Sequence, residues 1–252
     1  MMTVYLALTP AQLPAVRAPS VPKLHVAYAI GEGARLTRSA LPPTLRGGLL
    51  GLSDRCGEAL GDSAPLCRAI ARECAQRRFS GVVADFEGAR RGDRLAFLSA
   101  LASLLAQGGR RLYVPERFAV PEAQVLICTA LSGGTLRERL SDASARFGGR
   151  VALDVQRLAM DFPLPCPSGE GTPLTPSALA ALRERYDSPV FFSAELCASY
   201  FSYETGGRLH FVLFDTAETL RRKVQLGRER GIEAAFFQYP EVADLMGALF
   251  PL

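Results

Sequence analysis

The chain is 252 residues long, 48% hydrophobic and 21% charged, with 29 basic against 25 acidic side chains. That balance excludes a disordered tail and a short disulfide-stapled module. The surplus of +4 is almost wholly arginine, with Lys23 and Lys223 the two lysines, and it does not predict a nucleic-acid partner.

At this length a chain buries roughly three quarters of its unfolded surface. Because α/β barrels of about 200 to 250 residues commonly stand as single units, residues 1–252 are expected to form one domain. No run approaches the ~18 to 20 consecutive apolar residues of a membrane span, so none is expected. Met1-Met2-Thr3-Val4-Tyr5-Leu6 lacks the basic segment that opens an export signal. The expected setting is therefore cytoplasmic. Six cysteines at 56, 67, 74, 128, 166 and 197 contain no C-x-x-C pair, which suits free thiols in a reducing compartment. With His25 and His210 the only imidazoles, no metal site is expected, and no phosphate-binding glycine loop points to a cofactor. The chain has no tryptophan.

In chain order, short apolar runs alternate with amphipathic stretches, the pattern of βαβ units. Strands are predicted at Val4 to Leu8, Leu24 to Ile30, Gly48 to Leu52, Gly81 to Phe86, Arg111 to Val114, Gln124 to Ala130, Val151 to Val155, Val190 to Ala194, His210 to Phe214 and Ala234 to Gln238. Helices are predicted at Pro65 to Arg77, Arg94 to Gln107, Thr135 to Phe147, Thr175 to Tyr186 and Ala217 to Arg230. In the last helix, Asp215 and Thr216 can cap the N-terminus, Glu218 suits the positive end of the dipole, and Gly231 stops it. Its Leu220, Val224 and Gly227 share one face, which leaves Arg221, Arg222, Arg228 and Arg230 as a solvated face.

The proline-bearing segment Pro163 to Pro176 and the segment Ser202 to Gly207 are expected to be loops. Gly206-Gly207 marks a hairpin inserted before the last helix. The sum is an α/β protein, a compact (β/α)8 TIM barrel with that insertion.

The chemistry concentrates in Phe79-Ser80-Gly81-Val82-Val83-Ala84-Asp85-Phe86-Glu87-Gly88. Strand alternation puts Val83, Asp85 and Glu87 on one face and Val82, Ala84 and Phe86 on the other. In a parallel barrel the inward face leads to the C-terminal mouth, where active sites are built. Two neighbouring carboxyls can divide the roles, one holding a proton as general acid while the other stays ionised. The structural alternative is a surface-facing pair, or an Asp85 that caps a loop. Polar strand-end residues expected around Glu87 are Tyr28, Glu116, Arg117, Asp154, Gln156, Glu195 and Gln238, with Phe237 or Tyr239 as an aromatic face for a ligand ring. Asp54 is expected to cap a turn.

Residues Ser80 to Glu87 resemble the fourth-strand signature of glycoside hydrolase family 18, Asp-Gly-x-Asp-x-Asp-x-Glu, which is found in chitinases and spore-lytic glucosaminidases. The stretch Phe211 to Lys223, continued through Gly231 to Phe237, is similar to that family's closing segment, where an aspartate-capped helix leads to the eighth strand. The resemblance implies retaining hydrolysis of a β-linked N-acetylhexosamine glycan assisted by the substrate's own N-acetyl group. It casts Glu87 as the general acid and base and Asp85 as the group that orients the N-acetyl; Tyr28, Glu116, Asp154, Gln238 and Tyr239, from their expected places at the barrel mouth, are the candidates for binding the glycan. The sequence departs from the pattern at Ser80 and Val83. Ile127-Cys128-Thr129-Ala130-Leu131 stands where the family has Met-x-Tyr-Asp, and Phe237-Gln238-Tyr239 where it has a sugar-stacking tryptophan. Two functions stay open: a glycosidase acting on chitin or peptidoglycan fragments, and a barrel that binds a glycan or a protein partner without cleaving it.

Overall fold

The computed structural model describes residues 2–16 and 20–250. Eight parallel strands close into a barrel: β1 (Thr3–Leu8), β2 (Lys23–Gly31), β4 (Leu49–Asp54), β5 (Gly81–Asp85), β6 (Arg111–Pro115), β7 (Gln124–Cys128), β8 (Val151–Asp154) and β14 (Ala234–Gln238). Each pairs with the next in that order, β14 pairs with β1, and β1 pairs with β2 to complete the ring. A short β3 (Arg35–Arg38) folds back antiparallel on β2. The helices α1 (Ala64–Arg77), α2 (Gly92–Gln107), α3 (Leu136–Phe147) and α5 (Ala217–Glu229) pack around the outside.

These eight strands all coincide with predicted ones, and β5 is the fourth around the ring. Fully buried strands read as apolar runs because both faces are covered. On β5, Val82 and Ala84 face the helices with Ile70, Phe97 and Leu101, while Val83 faces inward. The inward layer is Ala7, Leu24, Leu49, Val83, Tyr113, Ala152, Ala234 and Phe236. Three rings plug its centre: Phe236 stacks on Tyr5 at 5.1 Å and meets Tyr113 edge-on at 5.0 Å. Gly81 opens β5 because a Cβ there would lie 2.3 Å from the Arg111 carbonyl oxygen. Only glycine lets the two strands meet at that point.

The predicted strands at Val190 to Ala194 and His210 to Phe214 lie outside the barrel. They belong to a five-stranded antiparallel sheet inserted between β8 and α5, in the order β10 (Thr172–Pro173), β9 (Ala159–Leu164), β13 (Arg208–Phe214), β12 (Ala198–Thr205) and β11 (Phe191–Ser193). β12 and β13 form a hairpin across Gly206 and Gly207, both at positive φ. The helix α4 (Pro176–Tyr186) covers one face through Leu179, which packs on Phe201, Val212 and Phe214. The segments expected as loops are thus partly strand, at Pro163 and Leu164, at Thr172–Pro173 and up to Thr205, and the first of them ends in α4 at Pro176.

The insertion leaves and returns at a single neck. Asp215 N–H donates to the Leu158 carbonyl at 2.7 Å, and Leu158 N–H donates to Asp215 Oδ2 at 2.9 Å. The same carboxylate takes Thr219 Oγ1 at 2.8 Å and Lys223 Nζ at 2.7 Å, with both charged side chains fully buried. The predicted N-cap aspartate is therefore an internal ion pair, and Thr216 is the cap, accepting Thr219 N–H. Among the described residues no helix is long and apolar enough to cross a membrane.

Candidate active site at the barrel mouth

A cavity of about 360 Å³ opens at the C-terminal ends of the barrel strands. Its apolar floor is Leu24, Val26, Val83, Leu126 and Phe236, and its polar rim is Asp85, Glu116, Arg117, Arg139, Asp154 and Gln238. A ligand entering it would meet an aromatic floor under a ring of charge.

The β5 terminus delivers its carboxylates by alternation. Asp85 follows Val83 on the inward face and lines the cavity. Phe86 turns outward and is locked between Phe97, stacked at 6.3 Å, and Phe118, edge-on at 5.6 Å. Glu87 then stands exposed two residues past the end of the strand, outside the residues that line the cavity. Arg117 reaches across from the end of β6 and donates to the Phe86 carbonyl at 3.2 Å and to the Glu87 carbonyl. Arg90 in turn donates to the Arg117 carbonyl at 2.8 Å. The backbone carrying Glu87 is thereby fastened to the neighbouring strand. Asp85 is exposed at the mouth, yet partial desolvation by the surrounding protein, and after it the charge of Glu87, raises its pKa.

Asp154, at the end of β8, lines the same cavity. Burial pushes its carboxyl up to about 6, with Glu241 and Asp85 adding to the shift, while the Gln156 amide, donating to Oδ2 at 2.7 Å, opposes it. Glu116 behaves differently. Arg139 of α3 binds it through both guanidinium nitrogens, Nη1 at 3.3 Å, and Arg146 adds a third contact at 3.4 Å. Its carboxylate is held below the usual range, first by the Arg139 hydrogen bonds. Glu116 is thus a cavity wall whose acceptor oxygens are already engaged.

Several residues expected at the mouth lie elsewhere. Tyr28 would share the inward face of Leu24 and Val26, but the pairing of β2 with β4 slips by one residue between Val26 and Tyr28. The extra Ala27 turns Tyr28 to the outer face, where its hydroxyl donates to Glu73 of α1 at 2.8 Å. Tyr239 follows Gln238, and alternation gives the cavity only one of the two. Gln238 lines it, while Tyr239 packs outside with Phe237. The aromatic face available to a ligand is Phe236, not Phe237 or Tyr239. Glu195 is also away from the cavity, where its carbonyl accepts Leu136 N–H at 2.9 Å. Gln156 touches it only through Asp154. Asp54 does cap a turn, accepting Cys56 N–H at 3.0 Å, and it also pairs with the buried Arg94 at 2.7 Å.

Arg139 and Cys128 line the cavity without having been expected there. Cys128 was legible from the parity of Leu126 on β7. Arg139, one turn into a helix, carried no sequence signal.

No family model matches the chain, and no curated protein does. Solved structures do. The spore cortex-lytic enzyme SleL of Bacillus megaterium superposes with a TM-score of 0.65 at 16% identity, over 94% of this chain and 70% of that one. A chitinase of Chromobacterium violaceum gives 0.66 at 18% identity, covering 96% and 95%. A class V chitinase of Nicotiana tobaccum, solved in complex with NAG4, gives 0.66 at 11% identity, covering 100% and 99%.

The chain has a glycoside hydrolase family 18-like fold. In this family 18-like barrel, β5 is the fourth strand and carries Asp85 at its end, and β7 is the sixth and ends in Cys128. The inserted sheet lies between the seventh and eighth strands.

Proposed function

We propose that the protein is a glycosidase that hydrolyses β-linked N-acetylhexosamine glycans, such as peptidoglycan or chitin fragments, with retention at the anomeric carbon. The observation that supports this reading is Asp85, which lines the cavity at the end of the fourth barrel strand, with Glu87 exposed two residues further on. The likeness to chitinases and to a spore cortex-lytic enzyme supports it.

In this mechanism Glu87 donates its proton to the glycosidic oxygen as that bond breaks. The carbonyl oxygen of the substrate's N-acetyl group forms the new bond to the anomeric carbon, giving an oxazolinium ion. Asp85 accepts the acetamido N–H, which orients the group and stabilises the cation. Glu87, now ionised, takes a proton from water, and the hydroxide oxygen opens the ring from the same face. Phe236 offers the apolar floor, and Asp154, Glu116 and Gln238 the polar wall.

The test is turnover of N-acetylglucosamine oligomers and cell-wall glycans by the purified protein and by Glu87→Gln. Release of product that falls by about 100-fold or more in the variant supports the assignment. Unchanged release in Glu87→Gln removes Glu87 as the acid.

One observation favours the second reading, binding without cleavage. Cys128 occupies the cavity position on the sixth strand, so no hydroxyl from that strand end supports a bound N-acetyl group. Calorimetric binding of the same oligomers that survives Glu87→Gln, with no turnover over long incubation, is its signature.

A further inference from the structure

A second cavity, of about 460 Å³, lies on the flank of the barrel beside α5. It arises because the eighth barrel strand is followed by no full-length helix. After β14 the chain makes only α6 (Tyr239–Val242), a short 3-10 turn at Ala243–Leu245 and α7 (Met246–Leu249). Pieces this short cover the outer faces of β1 and β14 in part. Val4 and Phe237 of those strands are left as an apolar floor, walled by Val224, Leu249 and Phe250. Phe250 meets Phe237 edge-on at 5.8 Å.

The rim of this cavity is basic. Arg221 and Arg228 line it from α5, about two helical turns apart. Each follows a buried residue, Leu220 or Gly227, so it sits about 100° round the helix from the buried face, on the shoulder above the cavity. The other charges at the rim cancel: Arg222 binds Glu218 at 2.6 Å, and its guanidinium lies over the Phe192 ring at 4.6 Å. Gln225 gives its amide to Glu229 at 3.3 Å. The side chains of Arg221 and Arg228 have no hydrogen bond, ion pair or ring contact among the described residues.

We propose that this cavity is a binding site for a small anionic amphiphile, with the apolar tail on Val4, Phe237 and Phe250 and a carboxylate or phosphate head on Arg221 and Arg228. The volume is in the range of small-molecule sites. It admits a chain of methylenes but not a partner helix, which is about 10 Å across. Seating the tail removes its own apolar surface and that of the floor from water. Guanidinium groups without a partner in the chain bind an anionic head through charge-assisted hydrogen bonds. A neutral tail leaves both arginines unpaired, and a head without a tail leaves the floor wet. The site is separate from the barrel mouth. Phe237 points to the outside of β14, whereas Phe236 and Gln238 line the inner cavity, and the two cavities share no lining residue. The proposal therefore stands whether or not the protein cleaves glycans.

The test is calorimetric titration of the full chain with decanoate below its micellar range, with decyl phosphate, decanol and acetate in parallel. One saturable site is expected for decanoate or decyl phosphate, and the tighter of the two names the head. Decanol binds about 10-fold or more weakly, and acetate gives no measurable heat. Added salt weakens the binding. Combining Arg221→Gln with Arg228→Gln lowers the affinity about 10-fold or more, and because both side chains are exposed the variant keeps the native Tm. In methyl-resolved NMR the ligand shifts Val4, Val224 and Leu249, and N-acetylglucosamine oligomers do not reverse the shifts. The absence of a saturable site, equal binding of decanol, or an affinity unchanged in the double variant overturns the proposal. Shifts on Leu24, Val26 and Leu126 put the ligand in the barrel mouth and overturn it too. Binding to phosphatidylglycerol vesicles with no saturable decanoate site assigns the arginines to a membrane surface and refutes the small-molecule site.

Discussion

Replacing Lys223 by methionine tests the way in which the insertion is attached. Lys223 and Asp215 are both fully buried and meet at 2.7 Å. Asp215 is also the acceptor for Leu158 N–H and Thr219 Oγ1, so it stays in place when the ammonium goes. Methionine preserves the methylene stem and its packing, which confines the change to the charge. What remains is an uncompensated carboxylate inside the protein, for which the cost is about 3 to 5 kcal/mol. Against a whole-domain stability of about 5 to 15 kcal/mol, that is a large fraction. The assay is urea unfolding at pH 7, with far-UV circular dichroism and aromatic fluorescence as coincident probes. The double variant Lys223→Met with Asp215→Asn removes both charges and keeps an acceptor for Leu158 N–H. It is expected to regain at least half of the loss, giving a coupling of about 2 kcal/mol. A loss below about 1 kcal/mol for Lys223→Met, the range of exposed pairs, refutes the reasoning.

Two further outcomes follow from residues away from the cavity. His25 is buried against Phe79 at 5.6 Å, and its pKa is lowered to about 4, first by burial, with Arg77 and Lys23 adding and a Gly47 backbone hydrogen bond opposing. A folded pKa below the unfolded one gives stability that is complete above 6.5 and is lost as pH falls toward 4, about 3 kcal/mol in all. Urea titrations from pH 7 to 4 are expected to show this slope in the native protein and lose it in His25→Phe; equal slopes in both exclude His25 as its source. Tyr28→Phe removes one hydroxyl from Glu73 on the outer face, so it costs about 1 kcal/mol of stability and leaves KM for N-acetylglucosamine oligomers unaltered. A raised KM would put Tyr28 back at the mouth.

Much of this architecture was readable because a parallel barrel strand is buried on both faces and therefore spells itself as an apolar run. Strand parity then placed Val83, Asp85 and Gln238 inward. The same reasoning failed where the chain departs from strict alternation. At Ala27 a single extra residue turns Tyr28 outward, and nothing in the composition of Leu24 to Ile30 distinguishes a bulged strand from a regular one. Val190 to Ala194 and His210 to Phe214 read as barrel strands because apolar runs carry no record of their partners; antiparallel pairing to β12 put them in the inserted sheet. Asp215 looked like a helix cap, and only the fold brings Lys223 and Leu158 to it. Arg139 was invisible because a charged residue on a helix reads as solvated until the helix is seen beside Glu116.

The central claim is that Glu87 and the substrate's own N-acetyl group carry out a retaining hydrolysis. Proton NMR of the first product formed from an N-acetylglucosamine tetramer decides it most directly. The mechanism predicts that the β-anomer appears first and mutarotates later, that Glu87→Gln abolishes the signal, and that a fully deacetylated oligomer is not cleaved. The α-anomer appearing first, or cleavage that persists in Glu87→Gln, would contradict it.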